Sequence, residues 1–429
     1  YWTDTIAKSN GSSRKLWSSL NSLLKRDEAS HKPQPSGISA DDISNFFQSK
    51  VKAVWDSTAQ APPPLFSFLP NATLDVFQEY SVNDLRKIIL SAPAKSCDLD
   101  PIPHFLLVEL LEDLLPFIQL AVNTSLRSGC LPASQKAAIV TPIIKKEGMD
   151  PESAASYRPI SNLSFLSKTV ERTVAERINA YLSLHCPRPI LQSAYRPYHS
   201  TETAMLKVMS DVSDASDRSE VTLLALLDLS AAFDTVDHGI LLQRLHDSYG
   251  FRGAVLAWIR SFLVERSQVI VFNGAKAPAV QIMCGVPQGS VLGPLLFCLY
   301  TAGALDIATS LGIEVHCYAD DLQLYIHCPV HLAKLATQRM AHCIHSIDKW
   351  MSSNRLKLNP GKTQFAWLGT KQQLDKLTLW SVDLPDGTPI KISHVVRDLG
   401  VTIDSQLSME SHATTVVRSC FYHLRQLHS

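Results

Sequence analysis

At 429 residues the chain exceeds the usual size of one compact domain, which favours two or three subdomains around a shared cleft. Hydrophobic residues make up 45% and charged residues 19%, a globular composition with enough apolar surface for a sizeable core. Lys+Arg and Asp+Glu both number 40, so net charge gives no footprint of a phosphate backbone, and any basic groove must be balanced by acidic outer faces.

The chain begins on Tyr1 rather than Met and is expected to be a piece of a longer frame. Residues 1–80 read as an N-terminal extension or linker. Trp17, Leu20, Leu23 and Leu24 fit one face of a short helix, Pro33–Gly37 and Pro62–Pro64 interrupt the chain, and a short helix near Ile43–Trp55 lies between the breaks. Ser81–Asp84 has the chemistry of a helix start, with Leu85, Ile88 and Ile89 as its apolar face. Phe105–Ser128 reads as one helix stopped by Gly129, Ala137–Ile144 as a strand, and Ser161–Leu184 as an amphipathic helix. The apolar run from Val221 to Leu229 predicts a strand, followed by a helix capped by Asp237 with Ile240, Leu241 and Leu245 buried and Gly250 as its stop. Ile313–Ile326 predicts a hairpin with Asp320 and Asp321 at its turn. His331–Leu356 predicts a long helix with Leu332, Leu335, Ile344, Ile347 and Met351 on one stripe, and a last helix starts near Ser411. Strands mixed with helices make this an α+β protein.

The nine cysteines include no CxxC and read as free thiols of a reducing compartment. His342, Cys343 and His345 fall in a helical stretch without the four-ligand spacing of a zinc site. The richest apolar run, Val291–Tyr300, is shorter than the roughly 18 residues that suggest a membrane span, so no membrane partner is expected.

Three features carry chemistry. Asp228 ends the apolar run Leu223–Leu227, where a carboxylate is costly unless paired or bound to a metal; an Asp emerging into a loop is the plainer alternative. Asp320 and Asp321 are adjacent like charges flanked by Val315, Cys317, Tyr318, Leu322, Leu324 and Tyr325. A divalent cation accounts for such a pair in a buried hairpin, and a solvated turn is the alternative. Gly285-Val286-Pro287-Gln288-Gly289-Ser290 offers a stiff turn open to close ligand approach, a Gln able to bond a sugar or base, and the N-terminus of a following helix; a structural Gly/Pro loop is the alternative. Together the acids suggest phosphoryl transfer assisted by two metal ions.

The blocks Ala225-Leu226-Leu227-Asp228-Leu229-Ser230-Ala231-Ala232-Phe233-Asp234, Gly285–Ser290 and Tyr318-Ala319-Asp320-Asp321 resemble, in order, the palm motifs of reverse transcriptases. Asp98–Pro103, Tyr157–Leu163, Gln192–Pro197, Leu358–Thr363 and Val396–Val401 narrow the resemblance to non-LTR, LINE-type retrotransposons, from about residue 81 onward. The resemblance implies a right-hand polymerase: fingers at 81–220, an antiparallel palm sheet backed by helices at 221–410, and the start of a truncated thumb at 411–429. It implies an RNA-directed DNA polymerase with two Mg²⁺ ions, Mn²⁺ being an alternative. Its partners would be an RNA template, a DNA primer, deoxynucleoside triphosphates and the element's own RNA in a ribonucleoprotein. The setting would be intracellular, in nucleus and cytoplasm.

Residue by residue, the resemblance makes Asp228 and Asp320 the principal metal ligands, with Asp321 beside them and the Leu229 carbonyl near one ion. Phe233 matches the aromatic gate that excludes a 2′-OH. Gln288 and Gly289 would contact the incoming nucleotide, Arg158 would clamp its triphosphate, and Lys145 or Lys146 would add a point charge. Lys362 would assist the pyrophosphate leaving group; a solvated turn Lys is the alternative. Arg196, Lys168, Arg172 and Arg177 are expected along the template, or merely to solvate the helix that carries the last three. The rival reading is a catalytically inactive, nucleic-acid-binding remnant of such an element.

Overall fold

The structure, a computed structural model, describes residues 37–428 apart from 67–71, 94, 96, 147, 187–190, 384–386 and 388. The helix expected around Trp17–Leu24 lies outside these residues. The first elements are α1 (Ala40–Ser57), α2 (Val82–Leu90), α3 (His104–Glu109), α4 (Leu111–Ser128), β1 (Ala137–Ile144), β2 (Tyr157–Asn162), α5 (Phe165–His185) and α6 (Thr201–Asp217). The middle of the chain supplies β3 (Val221–Leu227), α7 (His238–Asp247), α8 (Gly253–Leu263), β4 (Arg266–Phe272), β5 (Ala275–Lys276), β6 (Val280–Ile282), α9 (Leu292–Thr301), α10 (Gly303–Ser310), β7 (Glu314–Tyr318) and β8 (Asp321–Cys328). Then come α11 (Ala333–Ser353), β9 (Gln364–Leu368), α12 (Lys371–Leu374), β10 (Ser381–Asp383), β11 (Pro389–Ser393), β12 (Val395–Asp398), β13 (Val401–Asp404) and α13 (Glu410–His428). The mixed α+β class read from the sequence holds.

A six-stranded sheet, in order β10-β11-β9-β3-β8-β7, forms the centre. It is antiparallel except where β11 runs parallel to β9. All of β3 is buried because both its faces are covered. Leu223, Ala225 and Leu227 face the main core, while Leu224 and Leu226 pack with Met205, Val208 and Val212 of α6 and with Val396 and Ile403 of β12 and β13. Hence the strand reads as a continuous apolar run rather than an alternation. A five-stranded sheet joins β2, β1, β4 and β5, with β6 also on β4. Residue 220 was expected to divide fingers from palm. It separates the two sheets' first strands, but β4–β6 return from beyond it to pair with β1.

Several elements differ from expectation for identifiable reasons. Phe105–Ser128 breaks at Leu110, whose ψ of 14° ends α3 before α4 begins. The helix expected from Ser161 starts at Phe165 behind the Ser164 cap, because Tyr157–Asn162 pairs with β1 as a strand. Leu332 and Leu335 are exposed; the buried stripe of α11 is Ala336, Met340, Cys343, Ile344, Ile347 and Met351. The apolar run at Val291 continues into α10. Leu292–Ser310 is thus long and apolar enough to cross a membrane by length and composition, yet 67% of it is buried as a core helix. Within the stretch read as a linker, α1 is held by a capping box of Ser39 and Asp42. It buries Ile43 against Val140, Tyr157, Ile270 and Phe272 of the five-stranded sheet.

Candidate active site

The register of the central sheet assembles the acids. Leu227 pairs with Leu322 across β3 and β8, so one further step along the ladder brings Asp228 alongside Asp321. The β7–β8 hairpin closes with Tyr318 paired to Asp321 and with Ala319 and Asp320 as its two-residue turn. Asp228 is further fixed from below. Its carbonyl accepts from the Asn359 N–H at 2.8 Å, and its Oδ2 receives the Lys362 ammonium at 3.0 Å and the Asn359 amide at 3.4 Å. Burial, and then Asp228, push the Asp320 carboxyl up, opposed by its own backbone N–H, Arg158 and Lys362. Asp321 has one face open to solvent, yet surrounding protein, then Asp320, Asp228 and Asp398, push it up to about 7. Burial and neighbouring carboxylates that raise Asp320 and Asp321 make a site suited to a cation.

Among the described residues no three His, Cys, Asp or Glu side chains form a ready-made metal cluster. Mg²⁺ takes one or two carboxylates and leaves its other positions to phosphates and water. Asp228, the Leu229 carbonyl, Asp320 and Asp321 supply oxygen donors of the required kind. Cys343, by contrast, is fully buried in the α11 core stripe.

The Ala319–Asp320 turn is clamped by residues to which the sequence assigned no role. Residues 191–193 run beside β7: the Cys317 N–H donates to Leu191 at 2.8 Å and the Ser193 N–H to Cys317 at 3.0 Å. This delivers Gln192 to the turn. Its Oε1 accepts from the N–H groups of Ala319 at 3.1 Å and Ala194 at 3.0 Å, and its amide donates to the Ala319 carbonyl at 3.4 Å. Ala319 has φ +59°, a left-handed conformation that an alanine adopts only under constraint. Beneath it, Ser193, His316, Gln323 and Asp398 form a buried hydrogen-bonded chain.

Phe233 is half-buried in the short turn after Asp228, with its ring stacked on Phe297 at 4.4 Å between centroids. Its carbonyl accepts from the Val286 N–H, tying it to the Gly285–Ser290 loop. In that loop the Gln288 amide nitrogen donates to both carboxylate oxygens of Asp234, at 2.9 and 3.0 Å. Burial pushes Asp234 up to about 6, against the pull of that bond. The glycines serve the protein's own packing. A Cβ at Gly289 would meet the Ser161 carbonyl at 2.5 Å, and one at Gly285 the Asp234 carbonyl at 2.7 Å. The N-terminus of α9, expected to face a ligand, is already taken. The buried Glu171 of α5 accepts from the N–H groups of Val291 at 2.7 Å and Leu292 at 3.1 Å.

One cavity of about 870 Å³ is lined by Asp228, Leu229, Phe233, Asp234, Gln288, Gly289, Tyr195, Asp320, Asp321 and Lys362. Its lining also includes Arg158 from β2, Lys145 from the end of β1 and, unforeseen, Lys50 from α1. Lys146 does not line it. Burial, then Lys50, Lys362 and Arg158, push the Lys145 ammonium down. Arg177 does not line it either; its guanidinium lies over the Tyr80 ring at 4.2 Å, and Lys168 and Arg172 are likewise absent from the lining. A second cavity of about 370 Å³ along α4, lined by Phe117, Leu120 and Pro132, carries none of the motif residues.

A mixed sheet brings Asp228 and the adjacent Asp320 and Asp321 to one cleft that basic side chains also line, an arrangement suited to phosphoryl transfer. The family described as reverse transcriptase (RNA-dependent DNA polymerase) matches residues 144–403, more than half of the chain, and the chain belongs to that family. It is 30% identical over 360 residues to the probable RNA-directed DNA polymerase from transposon BS of Drosophila melanogaster, covering 81% of this chain and 38% of that protein. It is 27% identical over 345 residues to the RNA-directed DNA polymerase from mobile element jockey of the same fly, covering 78% and 36%. A type-1 retrotransposable element R2 polyprotein of Popillia japonica is 30% identical over 164 residues, covering 37% and 22%. These relatives place the chain among non-LTR reverse transcriptases. The chain spans less than two fifths of the length of each of them.

Proposed function

We propose that this chain is the polymerase core of a non-LTR element and extends a DNA primer with deoxynucleotides on an RNA template. The observation that carries the reading is the register-driven meeting of Asp228 with the Asp320–Asp321 hairpin in a cleft whose far wall is basic. In this reading residues 81–220 act as fingers, together with the returning strands β4–β6, 221–410 otherwise as palm, and α13 as the first piece of a thumb. Two Mg²⁺ ions held by Asp228, Asp320, the Leu229 carbonyl and, for one of them, Asp321 would activate the primer 3′-OH and stabilise the leaving oxygen.

The chain's own groups supply the rest. Arg158 and Lys145 hold the triphosphate as fork and point charge. The exposed face of Phe233 lies under the sugar and leaves no room for a 2′-OH. Gln288, locked by Asp234, presents a fixed edge to the nucleotide. Lys362 neutralises Asp228 before substrate arrives and is placed to give a proton to departing pyrophosphate. The intact acid set and its neutralising lysine favour this reading over an inactive binding remnant.

The test is incorporation on poly(rA)/oligo(dT) with Mg²⁺. Wild type should extend the primer, and Asp320→Ala should lose on the order of a thousandfold in rate, as for removal of a principal electrostatic stabiliser. Equal incorporation by both would remove the acids from the reaction. In the same assay Phe233→Ala should accept ribonucleotides more readily; unchanged sugar discrimination would exclude the gate.

A further inference from the structure

Helix α1 ends at Ser57, well before the family-matched segment begins at residue 144, yet it forms part of the cleft. Its inward stripe is Ile43, Phe47, Lys50, Val51 and Val54, at helical spacing. Ile43 is fully buried and Val54 nearly so, so the stripe faces protein. The helix is pinned at its far end. The Trp55 indole donates to the Thr235 carbonyl at 3.2 Å, just past Phe233 and Asp234, and Arg355 donates to the Thr58 carbonyl. Lys50 is half-buried on this stripe and lines the cleft.

Among the described residues Lys50 makes no ion pair and no side-chain hydrogen bond. Asp234, which Lys50 attracts without bonding to it, already accepts from the Gln288 amide at both its oxygens. Lys50, Lys145 and Arg158 instead converge on one cavity without a carboxylate bonded to any of them. Three like charges with one open space between them are held apart at a cost, and a polyanion in that space relieves it. The depression of the Lys145 ammonium, to which Lys50 contributes more than Lys362 or Arg158, agrees with that proximity.

We propose that Lys50 is a third contact to the polyphosphate of the incoming nucleotide, supplied from outside the polymerase family segment, so that α1 is part of the nucleotide site rather than a linker. The proposal rests on the polymerase reading for the identity of the nucleotide, but not for the polyphosphate itself. Lys50→Met keeps the apolar stem and removes the charge; Lys50→Arg keeps the charge.

Two measurements on the full chain separate the outcomes. In primer extension Lys50→Met should raise KM for dTTP roughly ten- to a hundredfold, the range of one charge-assisted contact, with kcat and primer–template affinity unchanged. By calorimetry, inorganic tripolyphosphate should bind Lys50→Met more weakly by a similar factor, with Lys50→Arg close to wild type. If wild type binds tripolyphosphate but incorporates nothing, the polymerase reading fails while the Lys50 contact stands. Equal tripolyphosphate binding by wild type and Lys50→Met overturns the contact, as does a loss of thermal stability in Lys50→Met with binding unchanged, which would make Lys50 a structural partner of Asp234.

Discussion

The acid wall of the cleft hangs on strands buried on both faces, whereas the basic wall is gathered from a strand end, an exposed strand residue and a helix more than ninety residues upstream. The acids are placed by a ladder in which a slip of one residue would turn every side chain to the other face, so their mutual position is over-determined. The cations are long, half-exposed side chains whose positions depend on how α1, β1 and β2 pack together. Catalytic geometry belongs on the first kind of scaffold, because displacement of an acid by 1 Å costs on the order of a hundredfold in rate. Charge delivery to a mobile triphosphate tolerates the second kind.

If that contrast is real, damage to the acid wall should fall on turnover and damage to the basic wall on substrate binding. Beyond the acids themselves, the largest effect is expected at the turn clamp. Gln192→Ala leaves Ala319 in a left-handed conformation without the two hydrogen bonds that Gln192 makes to it. Its kcat should drop roughly ten- to a hundredfold with KM for dTTP little changed. Adding Ala319→Gly should restore part of the loss, because glycine reaches that conformation freely; a double variant no better than the single one would show that Gln192 does not act through the turn.

A smaller and opposite split is expected across the cleft. Lys145→Ala should raise KM for dTTP about tenfold with kcat retained, while Lys146→Ala, outside the cavity, should leave both constants alone. Matching effects at the two lysines would dissolve the distinction between them.

The smallest effect concerns pH. The Asp234 carboxyl is pushed up to about 6 from 3.8. Between those values the folded state binds more protons than the unfolded one, so this group's contribution makes stability fall as pH rises from about 4 to about 6. Asp234→Asn should flatten that part of the curve in urea unfolding, and an unaltered slope would mean that Asp234 titrates normally.

The same contrast governs what the sequence revealed. The strand at Val221, the hairpin at Asp320 and the caps at Ser81 and Asp237 were legible, because each is set by a local pattern: an apolar run, a flanked turn, a side chain that bonds its own helix. The choice between Lys145 and Lys146, and the presence of Lys50, were not, since they depend on contacts between segments far apart in the chain. Local signals also misled where tertiary contacts won. The glycines at 285 and 289 admit the protein's own carbonyls, and the start of α9 is filled by Glu171 from α5. Lys50 did leave one trace, a charge at position 50 on the inward stripe of an amphipathic helix. Within residues 1–80, read as an extension, it carried no weight until α1 was found against the cleft.

The central claim is that Asp228, Asp320 and Asp321 hold a pair of divalent ions against a nucleotide bound on the basic wall. The most direct measurement is the number of Mn²⁺ ions bound, by electron paramagnetic resonance, to the chain with primer–template and a non-reactive dTTP analogue. Two tightly held ions are expected for wild type, and one fewer or none for Asp320→Ala. A wild-type complex that holds no ion, or the same count after Asp320→Ala, would contradict it.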